Sequence, residues 1–240
     1  MVKYTPHRRE DRTLTQRDLI GLVLSYAYAF GLLFGVEAIG KWRKWPQFVT
    51  RKLVHISAGM WIWGILALFD TRLYGLIPFA TFIVLNYVFY RYQLFKAMDA
   101  TDSSPGTVYF AISITLLFGL FWHPTGPQDQ VVIAAAAVMA MTWGDGIASL
   151  LGKSRGRSTY VTFGHPRSWE GTMAMVAFSF ISMLLTLLLL PGSTLSPHSI
   201  PIAPELAVIL AIAGTIIATA AESLSPAGTD NLSVPLLSGL

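Results

Sequence analysis

The hydrophobic positions of this chain fall into seven long runs, and polar residues are largely confined to the segments between them. The runs cover Leu19–Val36, Leu53–Phe69, Leu73–Tyr90, Thr107–Trp122, Val131–Leu151, Thr172–Leu190 and Leu206–Ala221. A helix needs roughly 17–25 mostly apolar residues to cross a bilayer, and these runs reach or approach that length. The pattern therefore predicts an all-α, polytopic integral membrane protein with about seven transmembrane helices.

The composition agrees with this pattern. Of the 240 residues, 53% are hydrophobic and 12% are charged, whereas soluble domains carry about 25% charged residues. The chain has no cysteine, which excludes a disulfide framework and Cys-based zinc or redox sites. Its net charge of +4 comes from basic segments between the apolar runs, a placement typical of contact with anionic headgroups. Nucleic acid is not expected as a partner, because the sequence offers no soluble basic domain.

The polar segments divide the chain and orient it in the bilayer. A polar tail, residues 1–18, precedes one polytopic membrane domain, residues 19–240. With seven spans, four polar segments share one side of the membrane: 41–52, 91–106, 152–172 and 222–231. These segments carry most of the Lys and Arg residues, so the positive-inside tendency places that side in the cytoplasm. The basic tail then falls on the opposite side, so it either lies along the interface or precedes a segment that does not cross simply.

Asp145, Ser149 and Lys153 form a polar stripe where the fifth run ends, since residues four apart share a helix face. Small residues form a neighbouring stripe: Gly144, Ala148 and Gly152. The small stripe indicates close helix packing in lipid or close approach of the backbone to a phosphate group. Asp145 either forms an internal ion pair with Lys153 or, because many bases lie near it in the sequence, belongs to a site for a divalent cation and phosphates.

The segment Arg167–Thr172 opens the sixth run. Ser168 is a candidate N-cap with Gly171 at the third helical position, and the free N–H groups of a helix start favour anions. Arg167 adds a guanidinium fork suited to phosphate. The alternative interpretation is an interfacial loop anchored by Trp169.

Two further groups of polar residues flank the apolar runs. Arg51 and His55 share a helix face at the start of the second run, although a single histidine in a membrane helix is often a packing residue. Glu222, Asp230 and Asn231 follow the seventh run and offer the oxygen ligands that Mg²⁺ prefers. An Asp-Asn pair is also ordinary turn chemistry.

Taken together, these motifs resemble the polyprenol kinase family, which includes dolichol kinases and the smaller phytol and farnesol kinases. Four pieces match it in order: Arg51-Lys52-x-x-His55, Gly144–Gly152, Arg167–Thr172, and Glu222 followed by Asp230–Pro235. The sequence lacks the signatures of several other classes: a Walker A loop, the protein-kinase set, a Gly-x-Ser-x-Gly elbow and a His-Glu-x-x-His helix. The chain length is similar to that of the short phytol-kinase branch.

The resemblance implies phosphoryl transfer from CTP to the hydroxyl of a membrane-embedded isoprenoid alcohol (phytol, farnesol or a polyprenol), with Mg²⁺, at the cytoplasmic interface. Catalytic acids are expected at Asp145, Glu170 and Asp230. Metal ligands are expected at Asp145, Asp230, Asn231 and Glu222. Nucleotide and phosphate contacts are expected from Lys153, Arg167, Ser168, Gly171, Thr172, Arg51 and His55. The family often has Lys in place of Arg167, which keeps the charge but changes the geometry of the fork.

Two other functions stay open on the sequence. A phosphatidate-type cytidylyltransferase would make a CDP-lipid and release pyrophosphate, whereas a kinase releases CDP. The Lys-Arg…Lys-Asp signature and the Asp-Arg-Asp ending of that family are missing from this sequence. A lipid transporter or non-enzymatic scaffold would explain polar residues at membrane depth but not their concentration at one interface. Nucleotide binding by the purified protein separates this last class from the enzymes.

The predicted topology is testable by cysteine labelling on the cysteine-free background. Single cysteines introduced into residues 41–52, 152–168 and 222–231 should all react with an impermeant thiol reagent from the cytoplasmic side, because the three segments share one side of the membrane. Labelling of 152–168 from the side opposite to 41–52 would refute the seven-span arrangement.

Overall fold

The structure, a computed structural model, describes residues 13–95, 105–126, 129–162, 165–226 and 228–240. Within these residues the chain is almost entirely helical, with one two-stranded hairpin, so the predicted all-α polytopic fold is confirmed. Most of the predicted polar tail, residues 1–18, lies outside the described residues. Residues 16–18 already belong to the first helix, which starts with a capping box between Thr15 and Asp18.

The described residues form ten α-helices in chain order: α1 (Gln16–Arg43), α2 (Gln47–Met60), α3 (Ile62–Leu68), α4 (Arg72–Tyr92), α5 (Gly106–Phe121), α6 (Val131–Met139), α7 (Gly146–Arg155), α8 (Trp169–Leu189), α9 (Pro204–Leu224) and α10 (Asp230–Gly239). A π-helical segment, Ala140–Asp145, joins α6 to α7, so Val131–Arg155 is one continuous helix. Five helical stretches among the described residues are long and apolar enough to cross a membrane: α1, α4, α6–α7, α8 and α9.

The remaining two predicted spans are less regular, so the number seven stays a prediction. The second run is split into α2 and α3 at Trp61, where the backbone N–H of Trp61 bonds to the carbonyl of Ala58 in a tighter turn. The indole of Trp61 donates to Ser25 Oγ at 3.0 Å and stacks on Tyr28, which fixes the break against α1. The fourth run corresponds to α5, an apolar helix of 16 residues.

Two segments expected as polar loops are more ordered than predicted. Most of residues 41–52 is helical, because α1 continues to Arg43 and α2 begins at Gln47; Lys44 ends α1 in a left-handed conformation. Within residues 152–172, the strands β1 (Thr159–Thr162) and β2 (His165–Ser168) form an antiparallel hairpin. The hairpin directs the chain from the end of α7 back to the start of α8.

The continuous helix α6–α7 is the centre of the molecule. Residues 134–142 on it are all buried, and α2, α5, α8, α9 and α10 pack around it and its π-helical segment. Its alanine-rich first half presents small side chains, which allow neighbouring helices to approach closely. Its second half leads from this buried centre to the end of the bundle where the polar motifs lie.

Packing of α2 on the π-helical segment depends on Gly59. A Cβ atom at Gly59 would overlap Thr142 Oγ1 and lie 2.7 Å from Thr142 Cγ2. Gly59→Ala should therefore destabilise the protein by about 1–3 kcal/mol, the usual cost of overpacking, and lower the melting temperature in detergent. Gly31→Ala is the matched control, since Gly31 is exposed on α1 and a Cβ atom there would meet nothing within 4 Å. Equal melting temperatures for the two variants would contradict this packing.

Candidate active site

The π-helical segment ends at Asp145, which lies at the centre of the polar cluster. Such segments are rare and are frequently found at functional sites. Glycines on both sides bring its backbone close to neighbouring helices. A Cβ atom at Gly144 would overlap Ser179 Oγ on α8, and one at Gly146 would lie 2.6 Å from Ile56 Cγ1 on α2. The Asp145 side chain is consequently only 2% exposed.

Both carboxylate oxygens of Asp145 have partners. Lys52 Nζ on α2 donates to Oδ2 at 2.5 Å, and the side chain of Lys52 is itself only 14% exposed. Ser149 Oγ donates to Oδ1 at 3.2 Å, which agrees with the polar stripe predicted from the sequence. His55 Nε2 lies 3.6 Å from Oδ2 and 3.3 Å from the carbonyl oxygen of Met141. The buried carboxylate is therefore held by an ammonium group, a hydroxyl group and a nearby imidazole.

The ion-pair partner of Asp145 is Lys52, and the alternative pairing with Lys153 is wrong. Lys153 Nζ lies 5.6 Å from the ring centroid of Phe48, and Lys153 is exposed at the end of α7. Lys52 belongs to the sequence motif with Arg51 and His55, but the motif alone predicts no role for it. Its position three residues before His55, on the same helix face, was the available signal.

An open cleft lies next to this ion pair. It is lined by Phe48, Arg51, Lys52, Ser149, Lys153, Pro166, Arg167, Gly228, Asp230 and Asn231. Four of these side chains are cationic, and they come from α2, α7 and β2. Guanidinium and ammonium groups placed around one opening suit a polyphosphate. The cleft volume is about 230 Å³.

The start of α10 supplies an acid and an amide to the cleft. Asp230 Oδ1 accepts hydrogen bonds from the backbone N–H of Asn231 at 2.8 Å and from its side-chain amide at 2.9 Å. Ser113 Oγ on α5 donates to the carbonyl of Asn231 at 3.0 Å, which fixes α10 against the bundle. Burial raises the pKa of the Asp230 carboxyl above its usual value, and the charge of Asp145 acts in the same direction. The two carboxyl groups therefore lie within electrostatic range of each other.

The sequence predicts Arg167 as a contact to the triphosphate and Glu222 as a metal ligand. In the structure the two side chains bond to each other. Arg167 Nη1 donates a hydrogen bond to Glu222 Oε1. Nη2 donates to the carbonyl oxygens of Glu222 at 2.8 Å and Ser225 at 3.2 Å. Arg167 thus anchors the hairpin to the end of α9 while it lines the cleft, and Glu222 is outside the cleft lining.

Four predicted site residues at the start of α8 have local partners and are outside the cleft lining. Ser168 Oγ accepts from the backbone N–H of Gly171 at 3.1 Å, which confirms the predicted N-cap. Thr172 Oγ1 donates to the Ser168 carbonyl at 3.2 Å. Glu170 Oε1 accepts from the backbone N–H groups of residues 157–158 at 2.9 and 3.3 Å. These bonds fix the hairpin on α8. The roles of Ser168, Gly171 and Thr172 in nucleotide binding and of Glu170 in catalysis stay predictions.

The oxygen donors at the cleft fit a magnesium ion that is bound largely by phosphates. No group of three His, Cys, Asp or Glu side chains that could hold a metal occurs among the described residues. Mg²⁺ is usually bound through one or two carboxylates together with substrate phosphates and water. Asp230 and Asn231 line the cationic opening, and Asp145 lies behind it, bonded to Lys52, so one or two carboxylates are available for such an ion.

Several curated proteins that are similar to this chain are named phytol kinase or probable phytol kinase. The chain is 33% identical over 236 residues to the phytol kinase of Synechocystis sp., a match that covers 92% of this chain and 89% of that protein. It is 28% identical over 233 residues to phytol kinase 1, chloroplastic, of Arabidopsis thaliana, with 89% and 71% covered. It is also 28% identical over 182 residues to probable phytol kinase 2, chloroplastic, of Oryza sativa subsp. japonica, with 70% and 57% covered. No family model and no solved structure matches the chain.

The Lys52–Asp145 ion pair predicts how substitutions of its partners change the stability of the protein. Asp145→Asn should destabilise the protein by about 1–3 kcal/mol, because the buried ammonium of Lys52 loses its charged partner. Adding Lys52→Met should restore most of the melting temperature. Adding Lys153→Met instead is the matched control and should not restore it. Melting of the detergent-solubilised single and double variants measures this, and rescue by Lys153→Met alone would contradict the pairing.

Proposed function

This chain belongs to the phytol kinase family, and on that basis we propose that it transfers the γ-phosphoryl group of CTP to the hydroxyl of phytol or a closely related isoprenoid alcohol. The observation that best supports the proposal is the cleft, which is lined by four cationic side chains and by Asp230. Asp145 adjoins it through its ion pair with the lining residue Lys52. The cleft lies at the end of the membrane domain that carries most of the basic residues. That placement supports a cytoplasmic site by the positive-inside tendency.

In the proposed reaction the alcohol oxygen forms a bond to the γ-phosphorus while the bond from that phosphorus to the bridging β,γ-oxygen breaks. CDP leaves with the electron pair, and the hydroxyl proton passes to one of the two carboxylates, Asp145 or Asp230. Such a transfer depends on positioning and charge neutralisation more than on covalent chemistry by the protein. The cleft offers both, because its cations approach from three separate elements.

Each group of residues has a distinct task in this proposal. Arg51 and Lys153, which lie at the opening, bind the nucleotide phosphates. Lys52 holds Asp145 in its ionised form and adds positive charge at the inner end of the cleft. Asp145, Asp230 and Asn231 would hold Mg²⁺, which neutralises charge on the phosphates when it is bound.

The donor and the metal are tested with γ-labelled and α-labelled nucleotides on purified protein. We expect label transfer from γ-labelled CTP to phytol, release of CDP, weaker transfer from ATP, and loss of activity in excess EDTA. Release of pyrophosphate with the α-label in lipid would identify a cytidylyltransferase and contradict the proposed reaction. Undiminished activity in excess EDTA would contradict the magnesium site.

The same assay applied to the Asp145 variants separates a loss of catalysis from a loss of folding. Asp145→Asn combined with Lys52→Met should regain stability while its turnover stays lower than that of the unsubstituted protein by a factor of about 10² or more, since charge stabilisation of the transferred group is usually a large term. Gly31→Ala, on the outer surface of α1, should keep full turnover. Full activity of the stabilised double variant would refute a catalytic role for Asp145.

A further inference from the structure

A second, apolar cavity lies next to the cleft, between α1, α2, α4 and α5. Its lining is dominated by aliphatic and aromatic side chains such as Leu33, Val54, Phe82 and Ile114. The cavity volume is about 120 Å³. An apolar space inside a membrane domain suits part of a hydrocarbon ligand.

The cavity runs along the helices, away from the cleft. On α5 its lining extends from Thr107 to Ile114, and on α4 from Asn86 to Pro78. With a rise of about 1.5 Å per helical residue, its length is about 10–12 Å. This is shorter than an extended diterpenoid chain, so the cavity can take only the part of such a chain that is next to its head group.

One end of the cavity meets the cleft. His55 lines the cavity, and its Nε2 lies 3.6 Å from Asp145 Oδ2. At the start of α5, a Cβ atom on Gly106 would lie 3.0 Å from Asn231 Nδ2 and 3.4 Å from Arg51 Nη2, both of which belong to cleft residues. The next residue, Thr107, already lines the cavity. The two spaces therefore share a boundary formed by His55 and the first turn of α5.

At this boundary the cavity contains a hydroxyl group without a partner. The other polar side chains of its lining each make a hydrogen bond within the protein: Ser25, Tyr28, His55, Trp61 and Asn86. Thr107 Oγ1 is buried and has no hydrogen-bond partner among the described residues. A buried polar group without a partner is costly, and a ligand hydroxyl at this end would satisfy it.

We propose that this cavity binds the isoprene units next to the hydroxyl of the alcohol substrate, and that Thr107 Oγ1 forms a hydrogen bond to that hydroxyl. The proposal rests on the function proposed above. It places the lipid hydroxyl beside His55 and near Asp145, with the phosphates of the donor on the other side in the cleft. The distal part of the chain leaves through the open side of the cavity.

Thr107→Val tests the hydrogen bond, because valine keeps the shape of threonine and removes the hydroxyl. The KM for phytol should rise about threefold to tenfold, the value of one neutral hydrogen bond, while the KM for CTP stays constant and the melting temperature does not fall. Thr215→Val is the matched control, because Thr215 Oγ1 on α9 is also buried without a partner among the described residues. Thr215 does not line the cavity, so both KM values should stay constant in this variant. A lower melting temperature for Thr107→Val with an unchanged KM for phytol would overturn the proposal.

Ala29→Phe and Ala27→Phe form a second matched pair on α1. Ala29 lines the cavity, whereas Ala27 is exposed two residues earlier on another face of the helix. Phenylalanine at Ala29 should fill the space and lower kcat/KM for phytol by about tenfold or more. This is the size of effect expected when apolar contacts between a substrate and its pocket are lost. Phenylalanine at Ala27 should leave it unchanged. Equal effects of the two substitutions would contradict a tail site in this cavity.

A photoreactive phytol analogue separates the cavity proposal from the proposed function, because it reports binding without CTP. Crosslinks located by mass spectrometry should fall on the cavity-facing parts of α1, α4 and α5, and they should decrease with excess phytol and in Ala29→Phe. If the unsubstituted protein shows these crosslinks but phosphorylates no alcohol, the cavity proposal stands and the proposed function fails. Crosslinks confined to the groove lined by Trp63 and Ile181 would overturn the cavity proposal.

Discussion

The site depends on one buried ion pair, between Lys52 and Asp145. Its two partners are 93 residues apart in the chain and join α2 to the central helix at the point where the cleft and the apolar cavity meet. Taking two charges out of water is expensive, and removing one partner leaves the other without compensation. The pair therefore tolerates few alternative arrangements of α2. Gly59 and Gly146, which allow close contact between the same two elements, support the same geometry.

The sequence predicted those parts of the fold that follow from local rules. Apolar runs predict helices in a membrane because every backbone polar group must be satisfied within the segment. The contact between Ser149 and Asp145 and the N-cap at Ser168 follow from fixed helical spacing and are present in the structure.

Contacts between distant segments could not be predicted in this way. The partner of Asp145 comes from α2, and the position of Asn231 depends on Ser113 of α5; neither pairing leaves a periodic signal in the sequence. The hairpin was missed because its strands are only four residues long, and the break at Trp61 depends on tertiary contacts with α1. Among the predicted site residues, Lys153, Arg51 and Asp230 line the cleft, whereas Glu170 bonds to backbone N–H groups just before β1.

The π-helical segment allows the two halves of the central helix to face different surroundings. A π turn contains about one residue more than an α turn, and each helical residue turns the chain by about 100°. Every side chain after Asp145 is therefore rotated by roughly that angle relative to an uninterrupted α-helix. The buried first half can keep the angular phase that suits its apolar neighbours, while the second half turns Ser149 and Lys153 towards the cleft. One additional residue in the turn thus lets the side chains of the first half point as packing requires and those of the second half point as the site requires.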